Sequence, residues 1–486
     1  MRSLRGARAA DLMLIALAWA EFACGARRGS AMTATAATPD ASFRQSPPAG
    51  KPDPPFIPPP VREARLPNGV RVLLAEDQRS PIVALSVAVA RGAAAAPPGV
   101  ANLAFVTLYA GTTVRDRSHV ASGFQQLGAI GVTTLDYDSF ALHYTVLPSG
   151  RHGTLSLVAE MLQKPALSEA EFARDHAWLV TSVHARSPKE MIVDTVSAAL
   201  YPADHPYRFD PEGDEPSLRR IGRAEVAGFL REQVQPDQVV VAAAGHVGWD
   251  ELFGDVVDMF GDWRGQAPAP RPLPAVNPPA PSAPIIVLDD RGSNQSEIRI
   301  AALCPASDSP DRLPFLLLAT LLGGTFTSRM NLNLRERHGY GYSPRTQVET
   351  RPSSGTFTAI ATVAAARTRD ALDELLLELE RVRSADVSAD ELALAKTSFL
   401  RTIPERFSTV RATAQTLARL AASRRPIDEH DKFTVELPSI GAGEIRLVAQ
   451  KYLGRDKLRV VIMGDAATVR AQLGGIGTEI VPMRAD

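Results

Sequence analysis

Zinc chemistry needs imidazole, thiolate or carboxylate groups at ligand spacing, and the nine histidines and two cysteines of this 486-residue sequence do not supply it in any obvious place. His176 and His184 stand eight positions apart on one helix-forming stretch, too far to share a metal unaided, and His143 and His152 are no better placed. Such histidines read as solvated or satisfied within the fold. Cys24 and Cys304 build neither a thiolate zinc cluster nor a disulfide framework. The segment LLGGTFTSRMNLNLRERHGYGYSPR (321–345) carries Arg335 and Tyr342 seven residues apart. Local roles exist for both: Arg335 complements the negative end of a helix, and Tyr342 fills a half-buried strand position.

The elements that must position these groups come next. MNLNLRER is helix-forming, Gly339 is placed to cap it, and Tyr342 opens an extended segment. The strand–Gly–helix pattern QVVVAAAGHVGWDELFGDVVDMFGDW (238–263) returns as KLRVVIMGDAATVRAQLGGIG (457–477). The capped stretch SEAEFARDHAWLVTSVHA (168–185) returns as SADELALAKTSFLRTI (388–403), and GVANLAFVTLYAGT (99–112) has its counterpart in RLPFLLLATLLGGTFTSR (312–329). Order and spacing agree, so the chain reads as a duplicated unit. Each unit opens on strands, with an Asn-Gly turn in LPNGVRVLLAED (66–77) and alternation in PIVALSVAVA (81–90). The fold class is therefore α+β, two homologous domains, each a mainly antiparallel sheet covered by helices.

GVANLAFVTLYAGT resembles the zinc helix of the insulinase / mitochondrial processing peptidase-like (pitrilysin-type) metallopeptidases, whose form is GxAHxxEHxxFxGT. The resemblance places Asn102 and Val106 where that family has its two zinc-binding histidines, and Phe105 where it has the catalytic Glu. The third ligand, a Glu on a downstream helix, aligns best with Ser182. Phe and Val have no lone pair for a metal and an Asn amide is a weak zinc ligand, so the family cofactor is not expected on this chain. By contrast, Gly323, Gly324, Ser328, Arg329, Leu334, Arg335, Glu336, Gly339 and Tyr342 closely match the C-terminal-half motif GGxxxSRLxxxLRExxGxxYxxxS. The resemblance implies that Arg335 and Tyr342 reach the scissile carbonyl beside a zinc ion, and that Gly323, Gly324, Ser328 and Arg329 belong to the substrate-binding surface. Donors held in advance stabilise the charge that develops on an attacked carbonyl. HPYRFDPEGDEPSLRRI (205–221) is similar to the family's substrate-chamber loop.

The implied function is that of a non-metal subunit of a heteromeric zinc peptidase. A homologous zinc-bearing peptidase subunit is the expected partner, holding the metal, and a peptide is the expected substrate. A catalytically inert scaffold of the same fold is the alternative, and a self-sufficient metallopeptidase with other ligands a third. The net charge of -1 gives no case for nucleic acid. Arg2, Arg5 and Arg8 ahead of the apolar run Leu12–Ala20 read as a signal peptide over 1–26, with Cys24 as a possible lipid anchor and the periplasm as destination. A Pro-rich linker follows over 27–60, then the first domain over 61–266, a second Pro-rich linker over 267–284, and the last domain over 285–486.

Overall fold

The chain leaves its Pro-rich segment through a hairpin. Strand β1 (Arg62–Arg65) pairs antiparallel with β2 (Arg71–Glu76), and the Leu66 amide donates to the Val70 carbonyl (2.8 Å) across the Asn-Gly turn. This computed structural model describes residues 56–483 apart from 185, 186, 275, 277 and 282; residues 1–26, expected to form a signal peptide with Cys24, and residues 27–55 of the expected first linker lie outside the described residues. Phe56, assigned to that linker by composition, packs its ring 5.8 Å from Phe407.

The duplication is realised as two six-stranded sheets of matching order. The first uses β1, β2, β3 (Val83–Val89), β4 (Ile130–Leu135), β5 (Phe140–Val146) and β6 (Val239–Gly245), in the order β1-β2-β6-β3-β5-β4. The second uses β7 (Ile285–Asp289), β8 (Gln295–Cys304), β9 (Arg345–Glu349), β10 (Gly355–Ala364), β11 (Arg459–Gly464) and β12 (Thr478–Pro482), in the order β12-β7-β11-β8-β10-β9. Strands β2, β6, β3, β5 and β4 correspond in place and direction to β7, β11, β8, β10 and β9; β2–β6 and β7–β11 are the parallel pairs within this shared set. The copies differ at one edge, where the first half adds β1 from before its sheet and the second adds β12 from after it.

One face of each sheet is covered by helices of its own half, and the other by a helix lent from the opposite half. Val83, Leu85, Val87 and Val89 of β3 point into the core of the first half. Ala84 and Ala88, with Ala242 and Ala244 of β6, meet Val410, Ala414, Leu417 and Ala418 of the helix Val410–Ala422. Small side chains on both surfaces let helix and sheet approach closely. In return the helix Pro188–Leu200 sets Ile192, Val196 and Leu200 against Ala301 and Val461 of the second sheet. Strand β3 is therefore buried along both faces, where the alternation in 81–90 read as a half-buried strand. The alternation is one of size, large on one face and small on the other, because both faces are covered.

Candidate functional site

The helix Val100–Thr107 carries the positions that the resemblance aligns with a zinc helix, and most of its residues are buried in packing. Asn102 is buried and its amide Nδ2 donates to the Glu212 carbonyl (3.1 Å), tying the helix to the 205–221 loop. Phe105 is 5% exposed and its ring lies 4.7 Å from that of Phe140. Val106 is half-buried. Ser182, on the helix Glu169–His184, faces solvent and donates its hydroxyl to the Trp178 carbonyl (3.0 Å). An amide already spent as a donor, a phenyl ring, an isopropyl group and a bonded hydroxyl do not fit a zinc ion. Among the described residues no group of three or more His, Cys, Asp or Glu is arranged to hold a metal elsewhere.

Three of the histidines, His143, His152 and His176, have structural partners. The His176 Nε2 bonds the Leu218 carbonyl (2.8 Å) and the ring stacks on Phe172, while the His152 Nδ1 meets Asp255 Oδ1 (2.9 Å). His143, on β5, bonds Ser86 Oγ (2.9 Å) and Thr134 Oγ1 (3.0 Å) beneath the lent helix Val410–Ala422. Burial, and then the Arg411 charge, pull this imidazole down to about 4. The unfolded chain would take up that proton near the ordinary value of about 6.5. Stability from neutral His143 is thus whole above about pH 6.5 and is lost as pH falls toward 4. At about 1.4 kcal/mol per unit, the loss should reach about 3 kcal/mol. Urea unfolding at pH 7 and pH 4.5 should show wild type losing roughly 2 kcal/mol more than His143→Gln across that interval. Parallel losses in the two proteins would refute the assignment.

Arg335 and Tyr342 are brought together at the surface of the second half. The segment Asn331–Arg337 is a π-helical turn rather than the regular helix its composition suggests. Two buried asparagines hold it open: Asn331 Nδ2 donates to the Pro344 carbonyl (2.7 Å), and Asn333 Nδ2 donates to Glu374 (2.8 Å) and Glu378 (2.7 Å). Gly339, at φ +63°, ends the turn as expected of a left-handed cap, with the Tyr340 amide donating back to the Leu334 carbonyl (2.8 Å). The Arg335 guanidinium then lies between two rings, 4.1 Å from the centroid of Phe326 and 4.5 Å from that of Tyr342. Tyr342 is 76% exposed and sits in a bend, just ahead of the strand it had been expected to open. Phe326 and Leu332 are exposed beside it.

The remaining motif residues build the platform. Gly323 closes a second π-helical turn, Thr320–Gly324, against β9; a Cβ there would lie 2.5 Å from the Thr346 backbone nitrogen, so the close approach requires glycine. Gly324 is exposed, Ser328 is buried, and Arg329 makes a two-pronged ion pair with Glu391 (2.8 and 2.9 Å) on the helix Ala389–Thr402. None of Arg335, Tyr342, Asn102, Phe105, Val106 or Ser182 lines the main cavity of the described residues.

That cavity, of about 560 Å³, lies between the halves. Asp210 and Pro211 of the 205–221 loop form part of its wall, as do Arg312, Arg406, Arg419 and Arg425 from the second half. Sequence reasoning did not find these arginines. They are spread over more than a hundred positions with no motif, and only the fold assembles them.

Residues 220–399 match the family described as "Peptidase M16 inactive domain". Uncharacterized zinc proteases of Mycobacterium leprae (strain TN) and Bacillus subtilis (strain 168) are 26% and 21% identical to this chain. The first similarity covers 70% of this chain and 77% of the relative, the second 68% and 80%. The fold superposes on a peptidase M16 inactive domain from Pseudomonas fluorescens with a TM-score of 0.74 at 23% identity, covering 83% of this chain and 98% of that one. A protease from Helicobacter pylori gives a TM-score of 0.76 at 16% identity, covering 84% and 100%.

The chain is similar to peptidase M16 proteins in part of its sequence and in its fold. Against the motifs it resembles, it carries Asn102, Phe105 and Val106 at the zinc-helix positions, and Arg335 and Tyr342 in the C-terminal-half motif. The matched span 220–399 contains that motif and leaves out the helix Val100–Thr107.

Proposed function

We propose that this chain is the non-metal subunit of a heteromeric M16 peptidase, in which a homologous zinc-bearing chain supplies the metal and the general base. The observation that carries the reading is a contrast. The zinc-helix positions are mostly buried or bonded within the fold, whereas Arg335 and Tyr342 are stacked in place at the surface with Tyr342 largely exposed. A guanidinium and a phenol held in a fixed relation need no reorganisation when an oxyanion forms, and this is what makes such donors effective. Among the described residues no zinc-ligand set accompanies the pair, which fits its use beside a second chain. Strand β9, the edge of the second sheet, begins three residues after Tyr342. Its outer edge is open to an extended peptide by main-chain hydrogen bonds.

We also place the protein outside the cytoplasm, on the strength of the basic start and the apolar run Leu12–Ala20. The test of the subunit reading is reconstitution with a zinc-bearing M16 chain from the same genome, encoded nearby. The two should co-purify, and peptide hydrolysis should appear only in the mixture. Failure of every zinc-bearing M16 chain of that genome to bind would overturn the proposal.

A further inference from the structure

The C-terminal wall of the cavity between the halves holds more positive charge than the fold neutralises. Arg312 donates to both oxygens of Glu429 (3.0 and 3.2 Å), and Arg425 pairs with the same carboxylate. Arg406 and Arg419 line the same cavity, and among the described residues neither side chain has a carboxylate partner. Four guanidinium charges against one carboxylate leave three uncompensated. Crowding is felt within the group: burial first, then Arg425 and Arg406, push Arg419 down to about 10. Asp136, Asp138 and Asp210 also line the cavity, as does Arg351, which is already paired with Glu349.

The same wall holds unmet hydrogen-bonding capacity. His430 is 3% exposed, and among the described residues neither of its ring nitrogens has a hydrogen-bond partner. The buried Arg312 Nε is also without an acceptor. Buried polar atoms are nearly always satisfied, and grouped arginines suit carboxylates because the guanidinium fork matches the two oxygens. The cavity falls within the range of about 300–1,000 Å³ typical of ligand clefts. Arg406 and Arg419 sit on the turn Pro404–Phe407 and the lent helix Val410–Ala422, so the group is fixed to packed elements.

We propose that Arg406 and Arg419, with Arg425 and Arg312 behind them, form a docking site for carboxylate groups of an acidic peptide segment. The proposal rests on the reading of this chain as half of a peptide-binding chamber, and it adds the charge class of the peptide. Acidic side chains and a free peptide C-terminus present the same group, and the test separates them.

The experiment uses the full chain and fluorescein-labelled peptides read by anisotropy: a Glu-rich peptide with an amidated end, its Gln counterpart with an amidated end, and the Gln counterpart with a free carboxylate. The amidated Glu peptide should bind at least tenfold more tightly than the amidated Gln peptide, weaken as salt rises, and lose about tenfold in the Arg406→Gln/Arg419→Gln variant. Arg419→Lys should keep part of the binding. Among the described residues neither Arg406 nor Arg419 has an ion-pair partner, so the double variant should melt as wild type does. Tight binding of the free-carboxylate Gln peptide instead would assign the site to chain ends and overturn the acidic-segment proposal. Equal binding of the two amidated peptides would also overturn it, and would leave the subunit proposal standing if the reconstituted complex still cleaves neutral peptides. Absence of binding by any peptide would remove both this site and the chamber reading.

Discussion

Tyr342→Phe, in a complex of this chain with a zinc-bearing M16 partner, is expected to lower peptide hydrolysis by about two to three orders of magnitude, the typical effect of removing one oxyanion donor. The substitution is well posed because the ring stays. Phe can still lie beneath the Arg335 guanidinium, now 4.5 Å from the ring centroid, so only the hydroxyl is lost. The fall should be in kcat, with the KM for peptide little changed, because the donor acts on charge that develops in the transition state. Arg335→Ala removes a donor and the middle layer of the Phe326–Arg335–Tyr342 stack, so it should cost at least as much. Arg335→Lys keeps the charge and loses the planar fork, and should fall between the two. Assembly of the two chains should survive Tyr342→Phe, which a pull-down checks. Unchanged rates in both Tyr342→Phe and Arg335→Ala would mean that the pair is idle and that the chain serves its complex as a scaffold.

The second large effect concerns the helix that resembles a zinc site. Phe105→Glu restores the acidic residue the family uses there, yet it should cost more than about 3 kcal/mol of stability. Truncating a buried Phe costs about 3–5 kcal/mol by itself. Phe105 is 5% exposed and packed at a tilt against Phe140, which is 1% exposed, so the new carboxylate would also have to be buried without a partner or take up a proton. Denaturant titration should give a much lower midpoint than wild type, and expression should be mostly insoluble. A Phe105→Glu protein that folds with a wild-type midpoint would show that the helix tolerates an active-site carboxylate. The view that its ligand positions have been given over to packing would then be wrong.

Much of this fold is written locally. The Asn-Gly turn, the Ser388 cap with its reciprocal Glu391 bond, the strand–Gly–helix repeats and the left-handed Gly339 each depend on a few neighbouring residues, and each stands where the sequence places it. The α+β duplication follows from those repeats, and the two sheets carry it out to the order of strands. What was not legible depends on distant partners. The exchange of the helices Pro188–Leu200 and Val410–Ala422 is carried by alanines on β3 and β6, and an Ala-rich surface is silent about which helix will cover it. The π-helical form of Asn331–Arg337 turns on Asn333 reaching Glu374 and Glu378, some forty positions away. The arginine wall is assembled from Arg312, Arg406, Arg419 and Arg425, which no local pattern links.

Site chemistry divides the same way. The motif around Arg335 and Tyr342 is contiguous, so its members could be read together, and the Arg335 guanidinium lies 4.5 Å from the Tyr342 ring centroid. The inclusion of Phe326 as a third layer could not be read that way, because its position in the motif is variable and its ring reaches Arg335 only through the turn Thr320–Gly324.

The claim beneath all of this is that the positions of Asn102, Phe105, Val106 and Ser182 cannot hold a divalent cation. It is tested most directly by purifying this chain alone, offering it zinc, removing the excess, and measuring bound metal together with peptide hydrolysis in the presence and absence of EDTA. The account predicts zinc well below one equivalent and no hydrolysis above background, with activity appearing on addition of a zinc-bearing partner. One equivalent of retained zinc with EDTA-sensitive hydrolysis by the lone chain would contradict it.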